Sequence, residues 1–208
     1  KYSSRYRKNG HADDKWRLLY SFERLIRETL PEIVSMENVP NLINEKVFKD
    51  FISTLQERGY YIDFNVVYCP DYGVPQHRKR LVLLASRLGE ISLIPPLYSP
   101  SNYLTVRDAI SHLPAINAGE VSGEDALHRS SALSALNLRR IEQSVQGGTW
   151  RDWDADLRLS CHQRKSGKTF PSVYGRMSWD KPSPTITTQF YGYGNGRFGH
   201  PEQNRAIS

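Results

Sequence analysis

Between Asp14 and Ser86 the apolar residues alternate between a helical and an extended period, and that alternation constrains the fold more than any other feature of the chain. Leu18, Phe22, Leu25, Ile26 and Leu30 recur at helical spacing. They predict a helix over Asp14–Leu30, with Asp13 or Asp14 at its start and Pro31 ending it. Glu32–Met36 has the length of a buried strand and stops at Glu37-Asn38-Val39-Pro40. A second helix is expected over Asn44–Arg58, with Val47, Phe48, Phe51 and Leu55 on its face and Gly59 as its stop. From Tyr60 to Tyr68, Ile62, Phe64 and Val66 alternate with Asp63 and Asn65, the pattern of a strand. The loop CPDYGVPQHRK leads into another apolar strand, Arg80–Ser86, and is long enough for the last two strands to pair antiparallel. Strand–helix–strand order with short loops means an α/β sheet.

Past Ser86 the character changes. Pro95, Pro96 and Pro100 interrupt any regular pattern. Short helices are expected over Thr105–His112, with Asp108 three residues after a threonine cap, and over Leu133–Ser144. Gly, Pro, Trp and Tyr dominate the remainder. A chain of 208 residues is one large domain or two small ones, and the shift places a boundary near residue 90, giving domains 1–90 and 91–208. Gly147-Gly148 reads as a tight turn near the domain junction.

The net charge of +6 suits a polyanionic partner without deciding for one. No apolar run reaches the roughly 20 residues of a membrane helix. Cys69 and Cys161 cannot build a disulfide framework or a four-thiolate zinc site. Cys161-His162 are sequence neighbours, which seldom face each other as a catalytic pair, so both cysteines read as ordinary thiols. His11, His112, His128 and His200 have no metal-ligand spacing, and no metal is expected.

Three places could carry chemistry. Glu37 directly follows a strand, at the edge where α/β sheets hold their sites. Partial burial would raise its pKa and make it an acid near neutral pH, whereas a loop-start carboxylate would only accept backbone hydrogen bonds. In Pro75-Gln76-His77-Arg78-Lys79-Arg80, alternation puts Gln76, Arg78 and Arg80 on one face and His77 and Lys79 on the other. Three donors on one face suit a base edge, a phosphate or a carboxylate, and a solvated charge run is the plainer reading. In the stretch 174–200, Gly192, Gly194, Gly196 and Gly199 interleave with Tyr191, Tyr193, Arg197 and Phe198. Thr185, Thr187 and Thr188 add hydroxyls that could meet phosphates or base edges. The plainer reading there is a loop-rich small β domain with surface tyrosines.

In order along the chain, Glu37-Asn38-Val39, DYGVPQ, the Gln76-x-Arg78-x-Arg80 run, TVRDAI, WDKPSPTITT and HPEQNRAIS resemble the DNA (cytosine-5)-methyltransferases. The resemblance implies the C-terminal part of a Rossmann-like, S-adenosylmethionine-dependent catalytic domain, plus a smaller loop-rich target-recognition domain. It implies methyl transfer to C5 of a flipped-out cytosine in duplex DNA, of the restriction–modification kind, in a bacterial cytoplasm beside a cognate restriction endonuclease. A base inside the stack cannot expose its ring faces to such chemistry, so it must flip. By the same resemblance Glu37 meets the N3 and amino edge of the base, and Arg80 meets its O2. Arg78 braces the site, Gln76 fixes the loop, and Asn38 orients the strand end. Arg176, Thr185, Thr187, Tyr193 and Arg197 become the expected DNA contacts.

The chain also departs from the family pattern. It contains no Pro-Cys-Gln nucleophile motif and no glycine-rich cofactor turn after a first strand. The family motif continues as Pro-Cys-Gln-x-(Phe/Tyr)-Ser, and this chain opens Lys1-Tyr2-Ser3. The expectation is a fragment beginning just after that motif, with Ser3, Ser4 and Arg5 in the catalytic loop, and ending as the next motif starts at Asn204–Ser208. Such a piece would lack most of its cofactor site, be inactive alone, and self-associate through an exposed sheet edge. Two alternatives remain at this point: a catalytically dead DNA-binding relative, and the tRNA-methylating branch of the family. The long region after residue 90 favours duplex DNA.

Overall fold

The computed structural model describes residues 17–163 and 173–207. They fall into two compact units. The first holds the chain up to Cys69 together with Lys79–Leu97.

In the first unit α1 (Arg17–Thr29) is followed by β1 (Ile33–Asn38), α2 (Lys46–Glu57), β2 (Tyr61–Tyr68) and β3 (Lys79–Ser86). The sheet order is β1-β3-β2, and β3 pairs antiparallel with both neighbours. The expected antiparallel pairing of the last two strands is therefore present, and β3 lies between two strands that run the opposite way. Alternation sends Val34 and Met36 of β1 and Leu81, Leu83 and Ala85 of β3 to one face. There they pack with Phe48, Phe51 and Leu55 of α2 and with Leu19 and Ile26 of α1. Burying each large side chain contributes about 1.5–3 kcal/mol, which is what holds the helices on this face.

The α2 face matches the sequence expectation residue for residue, with Thr54 added. Gly59 ends the helix at φ +77°, a backbone conformation that costs a glycine nothing. On α1 the buried stripe differs from the expected one. Leu18 and Leu25 are exposed, and Leu19, Glu23 and Ile26 are buried. A polar anchor turns the helix: Glu23 accepts a hydrogen bond from Thr54 of α2 and pairs with Arg27 at 2.9 Å. The strand β1 also runs farther than expected, because Glu37 and Asn38 pair in register with Val82 and Leu81.

The second unit comprises Pro70–Arg78 and the chain from Tyr98 onward. A single cut near residue 90 does not describe this division. Leu93 N–H donates to Asp63, which keeps the stretch before Leu97 with the first unit. The loop before β3 is zipped into the second unit instead: Ser183 N–H donates to Pro75 O, and His77 N–H donates to Ser183 O.

In this unit α3 (Val106–Ile110) carries the expected cap, a reciprocal box between Thr105 and Asp108. Ser134 caps α4 (Ala135–Gln143), and α5 (Ser160–Gln163) is a single turn. Among the described residues the rest is loops, 3-10 turns and isolated bridges, so the small β domain is not formed. Two aromatic-rich clusters hold the loops: Val106, Met177, Trp179, Phe198 and Ile207, and Ile141, Trp150, Trp153, Leu157 and Tyr193. Gly147, at φ +74°, donates to Met177 O inside this unit, so Gly147-Gly148 is not a junction turn.

Candidate active site

Antiparallel pairing brings together two motifs that are far apart in sequence. Glu37 sits one residue before the end of β1, opposite Val82, and Arg80 is the diagonal neighbour on the same face. Arg80 Nε lies 2.5 Å from Glu37 Oε1. The guanidinium also donates to Lys79 O, at 2.8 Å. This face is opposite the helix-covered core. The Glu37 side chain is 55% exposed and that of Arg80 21%. Glu37 is thus an open carboxylate in an ion pair within a strand, not the part-buried group after a strand that the sequence suggested. The adjoining Asn38 turns its side-chain oxygen back to accept Val39 N–H, which fixes the strand end.

Gln76 accepts a hydrogen bond from Ile186 N–H, and Thr185 donates its hydroxyl to His77 O. The side chain of Gln76 thus holds the loop within the second unit. Arg78 belongs to the same stretch and is half-buried. Ser3, Ser4 and Arg5 lie outside the described residues.

The expected DNA contacts divide. Thr185 and Thr187 are exposed, and Arg197 is half-buried. Arg176 and Tyr193 are corrections. Arg176 is 5% exposed and spends every guanidinium N–H inside the fold. Its Nε donates to Ser144 O, Nη1 to the carbonyls of His200 and Gln203, and Nη2 to Ile141 O and the Asn204 side chain. Ile141 and Ser144 end α4, so Arg176 satisfies carbonyls that a helix terminus leaves unpaired. Burial pushes its pKa below the ordinary arginine value. Tyr193 is 1% exposed and shares a hydrogen bond with Ser144 Oγ. Burial pushes its phenol up to about 12. Neither residue can reach a base without unfolding its surroundings.

One pocket of the second unit, about 270 Å³, is lined by His77, Gln146, Met177, Lys181, Pro184 and Arg197, with Arg176 at its wall. Its lining contains no carboxylate. The His77 pKa is pushed down, first by burial and then by the nearby charges of Arg197 and Lys181. Lys181 and Gln146 carried no signal in the sequence, because a lysine between Asp180 and Pro182 reads as an ordinary surface charge.

Cys69 is a half-buried free thiol and Cys161 an exposed one. His162 stacks on Trp150, with ring centroids 4.2 Å apart, and burial lowers its pKa. His200 is buried edge-on against Trp179, its Nδ1 accepting the N–H groups of Glu202 and Gln203. Burial and the neighbouring Arg205 and Arg176 charges lower its pKa to about 4. Among the described residues no cluster of His, Cys, Asp or Glu could hold a metal ion, and no helix is long and apolar enough to cross a membrane.

The C-5 cytosine-specific DNA methylase family matches residues 1–208. The chain belongs to that family. It is similar to the Type II methylase M.HgiDII of Herpetosiphon aurantiacus, 54% identical over 208 residues, covering 99% of this chain and 59% of the relative. It is also similar to the Type II methyltransferase M1.BsuMI of Bacillus subtilis, 36% identical over 207 residues, covering 96% of this chain and 47% of the relative. The methylase chain thus spans roughly half to three-fifths of the length of these curated relatives. Among solved structures it superposes on a protein described as a DNA modification methyltransferase encoded within an E. coli prophage. That match has a TM-score of 0.64 and 20% identity, and it covers 94% of this chain and 61% of the other. The fold shared with this neighbour is that of a mixed α/β methyltransferase portion.

Proposed function

We propose that this chain is the base-holding and target-recognising part of a restriction–modification DNA cytosine-5-methyltransferase. The substrate is a cytosine flipped out of duplex DNA, and the methyl donor is S-adenosylmethionine. The observation that carries the reading is the Glu37–Arg80 ion pair, which joins the two family motifs on one open face of the sheet. A carboxylate facing the Watson–Crick edge of cytosine accepts from the exocyclic amine, and after taking a proton from solvent it can pass that proton to N3. Protonating N3 draws electron density from C6 and eases attack there by a nucleophile. Arg80 fixes the carboxyl through Nε, and the rest of its guanidinium meets the base O2. Asn38 and Gln76 act at a distance, the first on the strand end and the second on the loop.

These 208 residues contain no Pro-Cys-Gln, the motif whose thiol attacks the base in the family, and we read them as inactive on their own. S-adenosylmethionine supplies the methyl group when bound, but the pocket of the second unit does not fit it. Its lining is cationic and has no carboxylate for ribose hydroxyls or an ammonium, and it would repel a sulfonium.

The test is methylation by the protein at its full encoded length, using labelled S-adenosylmethionine and duplex DNA, with bisulfite sequencing of the product. The expected result is 5-methylcytosine within one short recognition sequence, lost on Glu37→Gln. Label entering tRNA instead, a product methylated on an exocyclic amine, or no product at all would overturn the reading.

A further inference from the structure

The pocket of the second unit has an electrostatic character that the base-holding site does not explain. Lys181, Arg197 and Arg176 line it together with His77, and no acidic side chain does. The five acceptors of Arg176 are carbonyl oxygens and one amide oxygen, so its charge is hydrogen-bonded but not neutralised. Arg197 Nε is buried and has no acceptor among the described residues. A buried donor of that kind calls for one. The stem of Arg197 is seated by a glycine: a Cβ on Gly175 would stand 2.8 Å from its Cγ. Pro182 and Pro184 form stiff walls without N–H groups. Directly after them in sequence stand Thr185 and Thr187, both exposed.

We propose that this pocket seats one phosphodiester group of the DNA backbone, held by Lys181 and Arg197. The proposal rests on the reading of the chain as part of a DNA methylase and names where its recognition unit grips the duplex. A single anion there supplies a counter-charge to a cationic lining that has none of its own. It also offers oxygen acceptors to the Arg197 guanidinium in the planar geometry that arginine and phosphate share. The pocket is larger than a phosphate, which leaves room for the attached sugar. The exposed hydroxyl of Thr187 then lies next along the chain for the neighbouring phosphate, that of Thr185 being spent on His77 O. Such a contact fixes register on the duplex and carries no sequence information.

The experiment is equilibrium binding of the full-length protein to a duplex bearing its recognition sequence and to a random duplex, over a range of salt concentration. It compares wild type with Lys181→Gln and Arg197→Gln. Losing one phosphate contact lowers the slope of log K against log salt by about one. The expected result is that fall in each variant, with affinity reduced by the same factor for both duplexes. Arg197→Gln could disturb the fold, so Lys181→Gln at its exposed position decides if the arginine variant melts early. In parallel, melting temperatures are compared in inorganic phosphate and in chloride at equal ionic strength. A phosphate-specific rise that the variants lose, combined with an unchanged DNA slope, would overturn the DNA assignment in favour of free phosphate. A wild-type protein that binds DNA alongside variants unchanged in every respect would overturn the pocket alone. A wild-type protein that binds no duplex would overturn the functional reading with it.

Discussion

Arg176→Met tests whether an arginine in the glycine-rich region is scaffold or DNA contact. Arg176 donates to five acceptors. Ile141 O and Gln203 O keep other donors when it goes, from Ser144 N–H and Arg205 N–H. Ser144 O, His200 O and the Asn204 side-chain oxygen lose the hydrogen bond they make to it. Asn204 is exposed and its amide can turn to water, so two buried acceptors are stranded. At about 1–3 kcal/mol each, the low end of the range gives roughly 2 kcal/mol. Removing a charge that burial disfavours returns part of this, and methionine restores some apolar contact. The expected net loss is about 1–2 kcal/mol. Urea unfolding followed by tryptophan fluorescence measures it, because Trp150, Trp153 and Trp179 are buried in the same unit. A stability change under about 0.5 kcal/mol, together with a tenfold or greater fall in DNA affinity, would refute the scaffold role.

Glu37→Gln in the full-length enzyme should slow methyl transfer by about 10²–10⁴ while leaving duplex binding in place, and a single-turnover rate within tenfold of wild type would remove the glutamate from the chemistry. His200 predicts an acid-sensitive fold. Its native pKa of about 4 lies below the ordinary 6.5, so the unfolded chain takes up a proton that the native ring refuses. Stability should therefore be undiminished above pH 6.5 and fall by roughly 3 kcal/mol as pH drops to 4, a slope that denaturation at stepped pH would reveal and that His200→Gln should flatten. Gly147→Ala should cost about 1–2 kcal/mol, because residue 147 sits at φ +74° and a Cβ there would be 2.6 Å from Ser178 Oγ. Pairing it with Ser178→Ala should recover part of that loss in thermal melts. Tyr193→Phe should lower stability by about 1 kcal/mol through its hydrogen bond to Ser144, with no change in a DNA titration.

The first unit was legible because its packing follows period. The stripe of Val47, Phe48, Phe51 and Leu55 names a buried face, and the alternation of β2 names the half-buried Ile62, Phe64 and Val66 that pack against the core. The α1 stripe was misjudged by one position because a polar cluster, Glu23 with Arg27 and Thr54, takes a place that hydropathy gives to leucine. Glu37 and Arg80 were found as motif residues, but their contact depends on β3 pairing back beside β1, which no local pattern states. The second unit has no period to read. Arg176 and Tyr193 stand among glycines and polar residues, as surface groups would, and only the convergence of Ser144, His200 and Asn204 around them reveals a core. The pocket likewise draws on positions 77, 146, 181 and 197, whose meeting is purely tertiary.

The division of the chain also sets rules for anyone wishing to exchange recognition units between related enzymes. The second unit is not one uninterrupted stretch: Pro70–Arg78 belongs to it, and Pro75 and His77 hold the Ser183 backbone from both sides. A graft joined at one seam near residue 98 would leave that piece behind. The incoming segment would then have to bond to a foreign loop, and Ile186 would face whichever residue the host carries in place of Gln76. A working chimera has to carry two inserts, one of them only nine residues long, and the short insert has to re-enter β3 without shifting its register. A slip of one residue there would turn Arg80 to the opposite side of the sheet, away from Glu37.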